Sequence, residues 1–159
     1  MNPVKSLKEL KAIRKKLKDE NKKVVFTNGC FDLIHAGHID YLTKAKKMGD
    51  VLIVGLNSDS SVKRIKGNKR PILKEAERTF ILSSLKPVDY IVIFNEDTPE
   101  KLIKELVPDI LVKGADWKLD DIVGRDIVLD NGGEVKTINF VNNQSTSKII
   151  KTIIDRYKD

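Results

Sequence analysis

Apolar residues along this chain recur in two alternating rhythms. Short β-branched runs stand at Val24–Thr27, Val51–Leu56, Tyr90–Phe94, Ile110–Val112 and Val135–Ile138. Between and after them, residues 37–47, 74–85, 98–106, 121–131 and 145–157 place apolar positions three and four apart, the spacing of a helix with one buried face. Strands alternating with helices predict βαβ units and a mainly parallel sheet with helices on both faces. The near-continuous apolar strands fit burial on both sides. Ahead of this series, Ser6-Leu-Lys-Glu9 spells a capping box, and Leu7, Leu10, Ile13 and Leu17 draw one stripe along a further helix. Lys66-Gly-Asn-Lys-Arg-Pro71 is the most loop-like stretch, basic and punctuated by Gly and Pro.

With 159 residues, one domain of the usual size, about 100–200 residues, is the expectation. Cys30 is the only cysteine, so no internal disulfide is possible and four-ligand Cys/His zinc patterns cannot be built. The longest apolar run, Val51 to Leu56, is far short of the roughly 20 residues of a membrane span. A soluble, cytoplasmic protein with no membrane partner is expected. The formal charge is +7, yet residues 1–23 hold nine Lys/Arg against three Asp/Glu and so account for +6 of it. The chain therefore divides into a basic amphipathic helix, residues 1–22, and a nearly neutral domain, residues 23–159. A solvated helix docked by its apolar stripe explains the excess without a nucleic-acid partner; a nucleic-acid or lipid-binding arm is the alternative.

Open parallel sheets bind ligands beyond the carboxyl ends of their strands, where the strand order reverses. The turn after the first strand is Thr27-Asn-Gly-Cys-Phe-Asp-Leu-Ile-His35-Ala-Gly-His38, and a helix starts near its end. It matches neither a G-x-G-x-x-G fingerprint nor a P-loop. It still has the means to hold phosphate: Gly29 allows close approach of backbone, and a helix start offers open N–H groups and a positive dipole end. His35 and His38, the only histidines, fall on one face of the first helical turn, with Gly37 leaving room between them. Two imidazoles so placed can donate to phosphate oxygens and balance charge developing at phosphorus. A zinc site from Cys30, His35 and His38 is the alternative. Cys30 itself reads as a small apolar residue, since no base stands beside it.

These residues resemble the signature of the cytidylyltransferase-like nucleotidyltransferases, whose H-x-G-H histidines bind the nucleotide triphosphate. The resemblance continues through Gly49–Asp59, Ser61–Gly67, Arg70-Pro-Ile72, Glu77-Arg78, Val88-Asp89, Phe94–Pro99, Leu111–Trp117, Ile122-Val-Gly124 and Ser145-Thr-Ser147. Within the family the combination is most similar to the D-glycero-β-D-manno-heptose 1-phosphate adenylyltransferases, which in many bacteria form the C-terminal domain of a two-domain enzyme with a sugar kinase. Here a stand-alone chain is expected. The resemblance implies a Rossmann-like doubly wound sheet of about five parallel strands, ATP as substrate with Mg2+, and a homodimer. It implies catalytic roles for His35, His38, Lys66 and Arg78. Nucleotide contacts are implied for Thr27, Asn28, Gly29, Cys30, Phe31, Gly37, Lys113, Gly114, Asp116, Ser145, Thr146 and Ser147. Contacts to the acceptor are implied for Asp32, Asn57, Asp59, Arg70 and Trp117, and no residue is expected to ligate a metal.

Residue chemistry leaves several of these open. Lys63, Arg64, Lys66, Lys69 and Arg70 crowd one loop, read either as a solvated basic turn or as a neutraliser of leaving pyrophosphate. Arg78 forms a surface ion pair or, as the resemblance implies, contacts substrate or triphosphate. Ser145, Thr146 and Ser147 cap a helix, bind phosphate, or both; many relatives carry Ser-Thr-Thr, so Ser147 departs from the pattern but keeps the hydroxyl. Thr98-Pro99-Glu100 reads simply as an N-cap and first helical turn. The expected reaction is transfer of AMP from ATP to the heptose 1-phosphate, giving ADP-heptose and pyrophosphate for lipopolysaccharide core synthesis. A cytidylyltransferase acting on glycerol 3-phosphate or an FAD synthetase-like adenylyltransferase is the rival within the class. A protein binding nucleic acid through the basic helix, or a nucleotide sensor without turnover, is the rival outside it.

Overall fold

The computed structural model describes residues 2–139 and 145–158. Five parallel strands, β1 (Val24–Gly29), β2 (Val51–Asn57), β3 (Tyr90–Phe94), β4 (Ile110–Gly114) and β5 (Glu134–Ile138), form one sheet in the order β3-β2-β1-β4-β5. The helices are α1 (Leu7–Asp19), α2 (Ala36–Lys46), α3 (Asp59–Lys66), α4 (Glu75–Ser83), α5 (Glu100–Leu106), α6 (Arg125–Asp130) and α7 (Thr146–Tyr157). Successive strand residues serve opposite layers, as a pleated strand requires. Val25, Val54 and Val112 pack with Tyr41 and Leu42 of α2 and Leu82 of α4. Phe26, Ile53 and Leu111 pack with Leu10 of α1, Leu102 and Ile103 of α5 and Val128 of α6. The sheet is doubly wound, and its order reverses between β1 and β4.

The N-terminal helix is docked by its apolar stripe. The capping box between Ser6 and Glu9 forms, and Leu10 is fully buried. Arg14 donates to the carbonyls of Leu106 and Val107 and pairs with Asp109 at 2.9 Å; the same carboxylate receives the Val24 N–H at 2.7 Å. Before the helix, the backbone of Pro3 and Lys5 bonds to that of Ile91 in β3.

Three local expectations change. Asp59–Lys66 is a helix, so Lys63, Arg64 and Lys66 ride its last turn and the loop spans residues 67–74. Its start is set by Ser58, whose hydroxyl accepts from the Ser61 N–H at 3.1 Å. Thr98 is not an N-cap: α5 begins at Glu100 after Pro99, with no side-chain capping bond. The helix expected over 121–131 begins only at Arg125, because Gly124 turns the chain with φ of 84°. Ile103 packs so closely there that a Cβ would meet its Cδ1 at 2.5 Å.

Candidate active site

At the carboxyl ends of the strands, astride the β1/β4 reversal, lies a cavity of about 790 Å3. Its floor is the turn between β1 and α2. Phe31 bends the chain out of β1 in the left-handed region, φ 42°. Its ring fills the space over Gly29, where a Cβ would come within 3.0 Å of Cε2. His35 is the N-cap of α2 but makes no side-chain capping bond, so the open N–H groups of the first turn remain available to an anion. One turn on, His38 brings its ring centroid to 3.9 Å from that of His35 and 5.4 Å from that of Phe31. Gly37 makes this possible: a Cβ there would stand 3.0 Å from His35 Cε1 and Nδ1.

Three buried polar atoms at this floor have no hydrogen-bond partner among the described residues: Asn28 Oδ1, His35 Nδ1 and His38 Nδ1. Buried polar groups are normally paired, so three orphans around one turn mark a place for a ligand. Burial lowers the pKa of both imidazoles; His38, further disfavoured by the charge of His35, falls to about 4. Without ligand at neutral pH, each ring is therefore neutral, with one donor and one acceptor nitrogen.

Cations surround the floor. Lys113, at the end of β4, is pulled down to about 8 by burial against the opposing influence of Asp116, and its Nζ lies 5.5 Å from the centre of the Trp117 ring. Lys66 projects from the end of α3, exposed. The Cys30 thiol is pushed up by burial, which outweighs Lys66, Arg78 and Arg70 and makes it a poor nucleophile near neutrality. At the far wall, Ser145 Oγ accepts from the Lys148 N–H at 3.2 Å, and Thr146 Oγ1 donates to Leu33 O at 3.4 Å.

Most of the residues expected at the site converge on this cavity. Asn28, Gly29, Cys30, Phe31, Asp32, His35, His38, Asn57, Lys66, Arg70, Lys113, Asp116, Trp117, Ser145, Thr146 and Ser147 line it, and Gly114 lines an adjoining recess of about 140 Å3. Four stand behind the wall. Gly37 acts through the space it leaves. Thr27 is buried, its hydroxyl 2.7 Å from that of Tyr41, which donates to Val112 O at 3.1 Å. Arg78 was expected to contact substrate or triphosphate or to pair at the surface, yet it neither lines the cavity nor lies at the surface. It is fully buried, donating to Leu73 O at 3.1 Å, Cys30 O at 2.7 Å and Asn57 O at 2.8 Å, and pairing with Asp59 at 2.9 Å. The Asp59 carboxyl, raised by burial but lowered more by that pairing and the Glu75 bond, ends below its usual range.

Asp97, Thr98, Pro99, Ile65, Val123 and Lys148 also line the cavity. The first three follow the carboxyl end of β3, and the strand-end rule that singled out the β1 turn points to them as well. Their segment is stapled to α3 by Arg64, which pairs with Asp97 at 2.7 Å, and by Ser61 Oγ, which donates to Glu96 O at 2.8 Å. Among the described residues no three His, Cys, Asp or Glu side chains gather to hold a metal ion, and Cys30, His35 and His38 do not form a zinc set.

The family profile described as cytidylyltransferase-like matches residues 26–153. The bifunctional protein HldE of Citrifermentans bemidjiense is 57% identical over 136 residues, 86% of this chain and 28% of that protein. The protein of the same name from Campylobacter curvus is 59% identical over 137 residues, again 86% and 28%. This chain thus spans less than a third of the length of these curated relatives. The crystal structure of the lipopolysaccharide core biosynthesis protein from Thermoplasma volcanium, 33% identical, superposes with a TM-score of 0.63 over 77% of this chain and 99% of that one. Pantoate-β-alanine ligase from Francisella tularensis shares the fold, with a TM-score of 0.62 at 15% identity over 100% of this chain and 80% of its own. With the family profile covering most of the chain and its paired histidines heading α2 at the sheet reversal, the chain belongs to the cytidylyltransferase-like family of nucleotidyltransferases.

Proposed function

We propose that the chain transfers AMP from ATP to D-glycero-β-D-manno-heptose 1-phosphate, forming ADP-heptose and releasing pyrophosphate. The observation that carries the transfer chemistry is the set of orphaned atoms on Asn28, His35 and His38 at the open start of α2. The choice of heptose phosphate and ATP is supported by the near full-length motif combination and by relatives named as HldE and as a lipopolysaccharide core biosynthesis protein.

A phosphate oxygen of the acceptor attacks the α-phosphorus in line. That P–O bond forms as the bond from the α-phosphorus to the bridging oxygen breaks, and the electron pair leaves with pyrophosphate. The attacking phosphate is already anionic, so no general base is needed, and rate comes from positioning and charge stabilisation. His35 and His38 donate to the transferring and leaving phosphates, whose charge draws the imidazoles toward protonation. Lys66 adds positive charge, and Arg78 contributes by fixing the turn at Cys30. Magnesium carried in with ATP would neutralise phosphate charge; among the described residues no three His, Cys, Asp or Glu side chains gather to hold it.

On the same reading the catalytic domain is residues 23–159 with α1 packed against it, a division supported by the cavity lining, to which none of the described residues 2–22 contributes. Among the described residues no helix is long and apolar enough to cross a membrane; a cytoplasmic enzyme fits the single cysteine. A homodimer fits the unburied Ile153, Ile154 and Tyr157 of α7, and sedimentation tests it. The decisive experiment measures pyrophosphate release with ATP or CTP against the heptose 1-phosphate, glycerol 3-phosphate and FMN. ATP with the heptose phosphate should be fastest. CTP with glycerol 3-phosphate as the preferred pair, or binding without turnover in every combination, would overturn the assignment.

A further inference from the structure

Asp97 is a carboxylate in a cavity built for anions. It lines the space together with Lys66, Arg70 and Lys113. Left free there, it would repel a triphosphate and compete with it for those cations. The fold keeps it occupied. Arg64, in the last turn of α3, donates from Nε to Asp97 Oδ1 at 2.7 Å and from a terminal nitrogen to the carbonyl of Asn95.

The same arginine holds the end of its helix. Val62 is the one fully buried apolar residue of α3. Its start is tied to the segment after β3 by Ser58 Oγ, which donates to Asn95 Oδ1 at 2.7 Å, and by Ser61 Oγ, which donates to Glu96 O at 2.8 Å. Among the described residues only Arg64 bonds the last turn to another part of the domain. Beyond it the chain runs into open space, for a Cβ on Gly67 would meet no atom within 4 Å. Lys66 stands two residues after Arg64, on a different side of the helix. It lines the cavity, is exposed, and pairs with no described carboxylate. Its charge reaches the floor: burial raises the Cys30 thiol, and of the cations opposing that rise Lys66 has the largest effect.

We propose that Arg64 is the positioning residue of Lys66. By anchoring the end of α3 and occupying Asp97, it keeps the lysine ammonium aimed at the leaving pyrophosphate. The two paired side chains are 45% and 57% exposed, and a pair so exposed adds little to stability. Its use lies in where it leaves the other charges. The inference rests on nucleotidyl transfer and deepens it, assigning work to an ion pair on the cavity rim.

Two measurements read each variant: steady-state pyrophosphate release with ATP and the heptose 1-phosphate, and calorimetric titration with inorganic pyrophosphate. Arg64→Ala should lower kcat about tenfold, as displacing a group that acts in the transition state does. Pyrophosphate should bind more weakly by a similar factor. Adding Asp97→Asn to that variant should regain about threefold or more of both losses, since the amide has no charge with which to capture Lys66. A double variant no better than Arg64→Ala would mean a lost anchor alone and would overturn the occupying of Asp97. In a Lys66→Ala background, Arg64→Ala should cost less than about twofold, because the two act as one unit. A full tenfold loss there would overturn the proposal, since Arg64 would then act through some other group. Arg64→Lys, which keeps a charge for Asp97 and loses the fork, should fall between Arg64→Ala and wild type. It carries the same comparisons should the alanine variant fail to fold. If the wild-type chain releases no pyrophosphate with any acceptor, the transfer reading fails, and the pyrophosphate titrations still decide the role of Arg64.

Discussion

At the scale of single residues, the histidine turn carries the sharpest expectations. His38→Ala should lower turnover about 100–1,000-fold, the range for losing one preorganised donor, while thermal unfolding stays close to wild type; near-normal pyrophosphate release would remove His38 from the chemistry. Gly37→Ala tests the spacing rather than the groups. Alanine favours a helix over glycine, yet its Cβ would stand 3.0 Å from the His35 ring. The variant should unfold no earlier than wild type but turn over about tenfold more slowly, since a small displacement of a reacting group is costly. The depressed pKa of His38 also sets a direction for stability. Unfolded, the imidazole titrates near 6.5; folded, at about 4. Its contribution is complete above about pH 6.5 and is lost as pH falls toward 4, because the unfolded chain takes up the proton first. Urea unfolding at pH 7.5 and 4.5 should show a smaller acid loss for His38→Asn than for wild type, and equal losses would count against a buried neutral imidazole. Which side chains gather at the cavity was legible where the spacing is local, as in His35 and His38 with Gly37 leaving room between them. It was not legible for Arg78, whose partners at Cys30, Asn57 and Asp59 lie far along the chain and meet only in the fold.

At the scale of elements, strong periodicity carried through and weak periodicity did not. The strands were legible because most are short apolar runs forced by burial on both faces, while β5 at the sheet edge shows only β-branched alternation, and only their ends moved, as β1 and β4 continue to Gly29 and Gly114. The helix Asp59–Lys66 hid because Val62 is its one fully buried apolar residue and its last turn is basic. Tertiary bonds hold it instead, through Ser58 and Arg64 to the segment after β3. The docked N-terminal helix makes a measurable claim. Leu10 is fully buried among residues of β1, β3, α5 and α6, so Leu10→Ala should destabilise the protein by about 3 kcal/mol, within the range for leucine-to-alanine cavities. Deleting residues 1–22 should expose this face, together with the Asp109 that Arg14 pairs, and yield a poorly folded chain. Denaturant melts of both forms check this, and a fully stable truncation would show the helix to be an appendage.

At the scale of the whole molecule, the charge divides into a general field and a local one. Of the net +7, six units belong to residues 1–23, and none of the described residues among them lines the cavity. The cavity has its own cations in Lys66, Arg70 and Lys113, placed by α3, the loop after it and β4. Surface charges more than about 8–10 Å apart are screened at physiological salt, whereas those lining a low-dielectric cleft are not. Replacing the exposed Lys8, Lys15 and Lys18 together by Gln should therefore leave the KM for ATP and turnover at 0.15 M salt within about twofold of wild type. At 0.01 M salt, where screening extends to about 30 Å, the variant should associate with ATP more slowly than wild type. Stopped-flow Trp117 fluorescence at the two salt concentrations separates the cases. A large rise in KM at 0.15 M would mean that the basic helix takes part in nucleotide binding, and that the anion site extends well beyond the strand ends.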